Sequence, residues 1–193
     1  MKEKLYRTFI ALESNKELKV LMETLIEKLK KIGFKSNWTK NENVHLTMLF
    51  LGNISMQQIA KISYKAGERI FGFPTFTFKV DKLGYFTDNG IPKVLWLNVS
   101  GGETLNGLYS EFKKSVIQSD IEISSESFVP HITVGRVKKH PDYWDHLIKE
   151  ITFEPIDVPV NSVGLYSSQL KKTGPVYTKL YTIDFEGGVI ING

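Results

Sequence analysis

Two histidine–threonine pairs carry most of the chemistry that this chain can offer. His45-Leu46-Thr47-Met48 and His131-Ile132-Thr133-Val134 share one pattern: a histidine, an apolar residue, a threonine and a second apolar residue. Each lies in a run that reads as a β-strand, Val44 to Leu51 and Phe128 to Val137. Residues two apart on a strand point to the same face, so each run presents an imidazole beside a hydroxyl. Two such pairs facing one another would surround a small anion with two groups that exchange protons near neutral pH and two hydroxyl donors. That is an apparatus for metal-free acid–base chemistry on a phosphate ester. A lone histidine in a strand is more often structural; the repetition singles these two out. His140 and His146 stand in a charged stretch without a partner at this spacing and read as surface residues.

The elements that must position these pairs follow from periodicity. Leu5 to Leu12 reads as a strand. Ser14 is placed to cap a helix with Glu17 three residues on, a capping-box spacing, and Leu18, Leu21, Leu25 and Leu29 then recur at helical intervals up to a stop at Gly33. The first histidine strand ends at Gly52-Asn53. Ser55 opens a second helix through Ile59, Ile62 and Ala66 to about Ile70. Phe76 to Leu83 and Val94 to Val99 read as strands, and Asp88-Asn89-Gly90 between them signals a hairpin. Thr104 opens a third helix with Leu105, Leu108, Phe112 and Val116 on one face. After the second histidine strand come a short helix near Asp142 to Glu150 and strands near Ile151 to Val158, Val160 to Tyr166 and Val176 to Phe185. The pattern is α+β with antiparallel features. The two histidines stand 86 positions apart, close to half the chain, which fits a degenerate duplication with one motif per lobe. No linker rich in Pro, Gly or Ser separates the halves, so residues 1–193 are expected to form a single bilobal domain.

Composition removes several classes. The chain has 193 residues, 41% of them hydrophobic and 24% charged, an ordinary globular balance. It has no cysteine, so disulfides and thiolate zinc sites are absent, and the cytoplasm is the expected compartment. No apolar run reaches membrane-spanning length, and the start of the chain does not read as a signal peptide. There is no glycine-rich phosphate loop, no His-Glu-x-x-His pattern and no dense carboxylate cluster, so neither a cofactor nor a metal is expected. The net charge of +4 and a pI near 9.0 suit a polyanionic substrate. The lysines, scattered along helices at Lys28, Lys30, Lys31 and Lys35 and in the pairs Lys138-Lys139 and Lys171-Lys172, read mainly as solvated surface.

Taken in order along the chain, these segments resemble the 2H phosphoesterase superfamily, and more closely its RNA 2′,3′-cyclic phosphodiesterases, also called the 2′-5′ RNA ligase family. The resemblance runs from Arg7-Thr8-Phe9-Ile10-Ala11-Leu12 through Asn43-Val44-His45-Leu46-Thr47-Met48-Leu49-Phe50-Leu51-Gly52 and Pro92-Lys93-Val94-Leu95-Trp96-Leu97. It continues with Pro130-His131-Ile132-Thr133-Val134-Gly135-Arg136, Leu165-Tyr166-Ser167-Ser168 and Gly174-Pro175-Val176-Tyr177. It implies two pseudo-symmetric lobes of antiparallel sheet and helices, with a central cleft carrying one His-x-Thr-x motif per lobe. It implies opening of a 2′,3′-cyclic phosphate at an RNA end to a 2′-phosphate, with His45 as proton donor and His131 as acceptor. The residues themselves do not order the two roles. Thr47 and Thr133 would bind non-bridging phosphate oxygens. Arg136 and Phe50, each five residues past a histidine, are substrate-binding candidates for the phosphate and a base. Simple alternation turns both away from the histidine face; a bulge at Gly135 would redirect Arg136, whereas Phe50 reads equally as core packing or as a stacking face for a base.

Other readings share the same residues. One is a 2′-5′ RNA ligase or 2′-5′ oligonucleotide phosphodiesterase; another is a nucleotide- or RNA-binding module without turnover. The expected partners are RNA ends or small cyclic nucleotides, with no membrane, no obligate protein partner and a monomeric chain.

Overall fold

The structure is a computed structural model that describes residues 3–123, 127–172 and 174–192. The described residues form ten strands and four helices in this order: β1 (Leu5–Glu13), α1 (Lys16–Lys31), β2 (Lys35–Trp38), β3 (His45–Ser55), α2 (Met56–Ile70), β4 (Phe76–Asp88), β5 (Ile91–Ser100), α3 (Gly102–Ile117), β6 (His131–Lys139), α4 (Trp144–Lys149), β7 (Ile156–Val160), β8 (Ser162–Lys171), β9 (Gly174–Asp184) and β10 (Val189–Ile191). A 3₁₀ turn, Asn41–Asn43, leads into β3.

The strands make two five-stranded sheets, ordered β10-β9-β8-β1-β3 and β2-β6-β5-β4-β7, each pairing antiparallel within them. One histidine strand belongs to each sheet, and β3 and β6 run close to one another across the gap between the sheets. The architecture is the α+β arrangement of two lobes that the duplicated motif implies. α2 packs on β9 and β3, α3 on β3 and β4, and α1 on β7, so the helices cover the faces away from the histidines. A contiguous core runs through both lobes, from Ile10, Leu12 and Leu46 to Leu97, Ile132 and Val134.

Local signals explain most boundaries. α1 buries Leu18, Met22, Leu25, Ile26 and Leu29. Its cap is Asn15 rather than Ser14: Asn15 Oδ1 accepts from the Leu18 amide at 2.9 Å, while the Ser14 hydroxyl donates to the Val44 carbonyl at 2.8 Å. Ser14 thus ties the start of the helix to the residue before His45. Ser55 does cap α2, with Gln58 completing a reciprocal capping box. Asn89 and Gly90 take φ of 50° and 76°, the left-handed pair that a two-residue hairpin between β4 and β5 needs. α3 begins two residues before Thr104, capped by the Gly101 backbone. β3 continues past Gly52 to Ser55, Lys35 lies on β2 rather than on a helix, and β7 starts only at Ile156. Among the described residues, no helix is long and apolar enough to cross a membrane.

Candidate active site

The cleft begins with a backbone irregularity repeated in both lobes. In β3, Leu49 pairs with Ile10 and Thr47 with Ala11, which leaves Met48 without an opposite residue. In β6, Gly135 pairs with Leu95 and Thr133 with Trp96, which leaves Val134 without one. Each motif strand therefore carries a β-bulge one residue past its threonine. A bulge resets the in/out alternation. His45 and Thr47 keep one parity and Phe50 rejoins their face; His131 and Thr133 keep one parity and Arg136 rejoins theirs. All six side chains line one cleft of about 930 Å³. Phe50 is 65% exposed, so it is no part of the core. Arg136 is likewise exposed, and among the described residues no carboxylate lies within salt-bridge distance of it to serve as the partner that a structural arginine requires. Gly135 is needed where it stands for another reason: a Cβ there would lie 2.8 Å from the Trp38 ring of the neighbouring strand β2.

Both imidazoles are anchored in the same way. His45 Nδ1 lies 2.7 Å from the Asn43 carbonyl, and His131 Nδ1 lies 2.7 Å from the Val129 carbonyl. A carbonyl only accepts, so each Nδ1 carries the proton, and Nε2 is left as the nitrogen that exchanges protons. His45 Nε2 is 3.0 Å from Thr47 Oγ, which donates to it while the ring is neutral. Aromatic rings hold the imidazoles in place. Tyr177 stands edge-on to His45 at 5.3 Å and Phe9 lies 5.0 Å away, while Phe86 stands edge-on to His131 at 5.2 Å.

The electrostatics are one-signed. Arg7, Lys40, Arg136, Lys171 and Lys172 line the cleft, and no Asp or Glu is among its lining residues. The His45 pKa is held below 6.5, first by burial, against which the Asn43 carbonyl works, and also by the charge of His131. A proton on one imidazole thus opposes a proton on the other. Burial pushes the Tyr177 phenol up, and the Arg136 and Arg7 guanidiniums pull it back. Among the described residues, no three His, Asp or Glu side chains gather where they could hold a metal ion.

The chain matches the model of the 2′-5′ RNA ligase superfamily over residues 20–172. The chain belongs to that superfamily. Within it, this chain is 45% identical to a Thermotoga maritima protein named RNA 2′,3′-cyclic phosphodiesterase, over 95% of this chain and 98% of the relative. It is 32% identical to an Aquifex aeolicus protein of the same name, over 91% and 95%. Solved structures with the same fold include E. coli LigT in apo form, TM-score 0.74 at 23% identity, and E. coli LigT complexed with 3′-AMP, TM-score 0.72 at 22%. The two alignments cover 93% of this chain and 97% of the other.

For this superfamily member, several cleft residues escaped the sequence reading. Arg7 has the clearest trace, as a lone arginine two positions before Phe9 at the head of an apolar strand. Tyr177 reaches His45 from a strand 132 positions away in sequence; its segment carries the resemblance, but no local pattern gives it a place in the cleft. Lys171 and Lys172, read as solvated surface, line the cleft instead. His146 is exposed beside Glu150, and His140 lies half-buried near Trp144; neither lines the cleft.

Proposed function

We propose that this chain hydrolyses a 2′,3′-cyclic phosphate at an RNA end to a 2′-phosphate, with His45 and His131 as the acid–base pair. The observation that carries this reading is the matched anchoring of two imidazoles, each with Nε2 free of its carbonyl bond, beside two threonines in a cleft of cations without carboxylates. The names of the Thermotoga and Aquifex relatives support it.

The steps follow from the groups present. His131 Nε2 accepts a proton from water as the water oxygen bonds to phosphorus. The phosphorus–O3′ bond breaks, and His45 Nε2–H gives its proton to O3′. The hydroxyls of Thr47 and Thr133 donate to the non-bridging oxygens, where charge grows in the transition state. Arg136 adds a fixed charge beside them, and Phe50 offers a face for a base. In the free chain burial disfavours the His45 imidazolium; the bound anion favours it, so the proton donor forms with the substrate in place. Proton exchange with solvent then returns His131 to its neutral form and, with the next substrate bound, His45 to its protonated form, so the net reaction consumes one water. Residues 1–193 are read as one bilobal domain, supported by the core shared between the lobes, as a monomer, and as cytoplasmic, the compartment that the lack of cysteine favours.

The test is product identification. A dinucleotide ending in a 2′,3′-cyclic phosphate, incubated with the protein in EDTA, should yield a 2′-phosphate end. A 3′-phosphate product, rescue only by added divalent ions, or binding without turnover would each overturn the reading.

A further inference from the structure

The β8–β9 hairpin reaches past the sheet that roots it. β8 pairs with β1 only from Gly164 to Ser167, and β10 borders β9 only from Tyr181 to Ile183. Yet β8 and β9 stay paired to each other as far as Lys171 and Gly174. Beyond Ser167 they form a two-stranded arm, with no third strand among the described residues. Such a ribbon is marginal in water by itself, and this one is fastened toward the cleft. The Asn43 side-chain amide donates to the Pro175 carbonyl at 3.0 Å, and Tyr177 packs against His45. The arm's tip then places Leu170, Lys171 and Lys172 on the cleft wall, with Leu170 72% exposed.

The charges on that wall exceed what the reacting group can neutralise. A cyclic phosphodiester carries a single negative charge. Arg7, Arg136, Lys171 and Lys172 all line the cleft, and among the described residues none of them is within salt-bridge distance of a carboxylate. Ser168 pairs with Tyr177, and Lys171 roots three residues further out, about 10 Å along the arm at strand rise. The tip therefore lies further out along the arm than Tyr177, the residue that packs against His45. The cavity, about 930 Å³, lies at the large end of the roughly 300–1,000 Å³ that small-molecule pockets span.

We propose that the arm is a second phosphate seat, in which Lys171 and Lys172, with Arg7 at its foot, bind the phosphodiester preceding the terminal nucleotide. The proposal rests on the cyclic-phosphate reading above and adds which residues of this chain hold the strand behind the reacting end. The experiment compares kcat/KM for a nucleoside 2′,3′-cyclic phosphate with that for a dinucleotide carrying the same cyclic end. The wild-type protein should favour the dinucleotide. A Lys171→Ala/Lys172→Ala protein should lose about tenfold of that preference, and its log–log salt slope on the dinucleotide should flatten by roughly 0.7 per lost contact, the single-strand value. Lys28→Ala/Lys31→Ala on α1, which removes the same charge outside the cleft, should keep the preference, as should Lys171→Arg/Lys172→Arg. Equal losses on both substrates, equal losses in the α1 control, or a wild-type protein indifferent to the second nucleotide would overturn the arm's role. Failure of the wild-type protein on both substrates would instead overturn the active-site reading.

Discussion

Five residues on from each histidine, the two halves of the cleft part company. On β3 that position is Phe50, and on β6 it is Arg136. Up to there the halves match closely: the same Nδ1 anchor on the carbonyl two residues earlier, the same threonine and the same bulge after it. The difference teaches which layer of the structure is shared. The backbone device is common to both lobes and sets where a side chain emerges; the residue at the exit is free to differ. One half therefore offers a flat apolar face and the other a planar cation, which suits a ligand with a base at one end and a phosphate at the other. The halves also differ in hydrogen bonding. Thr47 is bonded to His45, whereas no such bond ties Thr133 to His131, and the Thr133 carbonyl takes the hydroxyl of Thr39 at 2.7 Å.

The hardest test of the matched part is to remove each imidazole in turn. His45→Ala and His131→Ala should each lower turnover roughly 10²- to 10⁴-fold, the usual contribution of a general acid or base, while the protein stays folded by circular dichroism. A folded variant of either kind with near-wild-type turnover would mean that the halves are not partners in one reaction.

Arg136 comes next. Lysine keeps the charge but not the two-pronged donor geometry. Arg136→Ala should cost roughly 10²-fold in kcat/KM, as loss of a transition-state donor does, and Arg136→Lys less, with melting temperatures little changed because the side chain is exposed. A structural Arg136 would instead lower both melting temperatures, with activity tracking the folded fraction.

Phe50 should matter less, and mostly through binding. Stacking of a base on an aromatic ring is worth about 1–3 kcal/mol, so Phe50→Ala should raise KM several-fold or more, with a smaller effect on kcat, and Phe50→Trp should restore KM. A drop in thermal stability without a KM change would return Phe50 to a packing role, against its exposure.

The comparison also shows what a sequence can reveal here. The motif strands, the Ser55 cap and the Asn89-Gly90 hairpin were legible because each rests on local chemistry: alternation, a side-chain acceptor or a left-handed turn. Alternation alone turned Phe50 and Arg136 to the wrong face, since a bulge is a property of the pairing with β1 or β5 and leaves no unique residue type behind. β2 was missed because Lys35-Ser36-Asn37-Trp38 has no apolar alternation and becomes a strand only by pairing with the edge of β6. The Ser14 cap was misread because its hydroxyl is claimed by Val44, thirty positions away. The arm that brings Tyr177, Lys171 and Lys172 to the cleft is a local hairpin, but its docking is invisible locally: Pro175 and Tyr177 meet Asn43 and His45, each 132 positions away.

The smallest expected effect concerns the resting charge of His45. Its pKa in the folded chain lies below 6.5, chiefly because burial disfavours the cation. Above that pH both folded and unfolded chains hold a neutral ring, and the group adds no pH dependence. As pH falls through 6.5 the unfolded chain takes up the proton first, so protons favour unfolding and stability drops until the pH passes below the folded value. The wild-type melting temperature should therefore fall between pH 7.5 and 5.5 by more than that of His45→Gln, measured in a buffer without phosphate. Inorganic phosphate should narrow the gap. An anion held between the imidazoles stabilises the imidazolium, raises the folded pKa and returns part of the stability lost on the acid side. Equal slopes for the two proteins would mean that the ring is solvated in the folded state. A gap indifferent to phosphate would mean that the anion binds away from His45, and the two halves would then not close on one phosphorus.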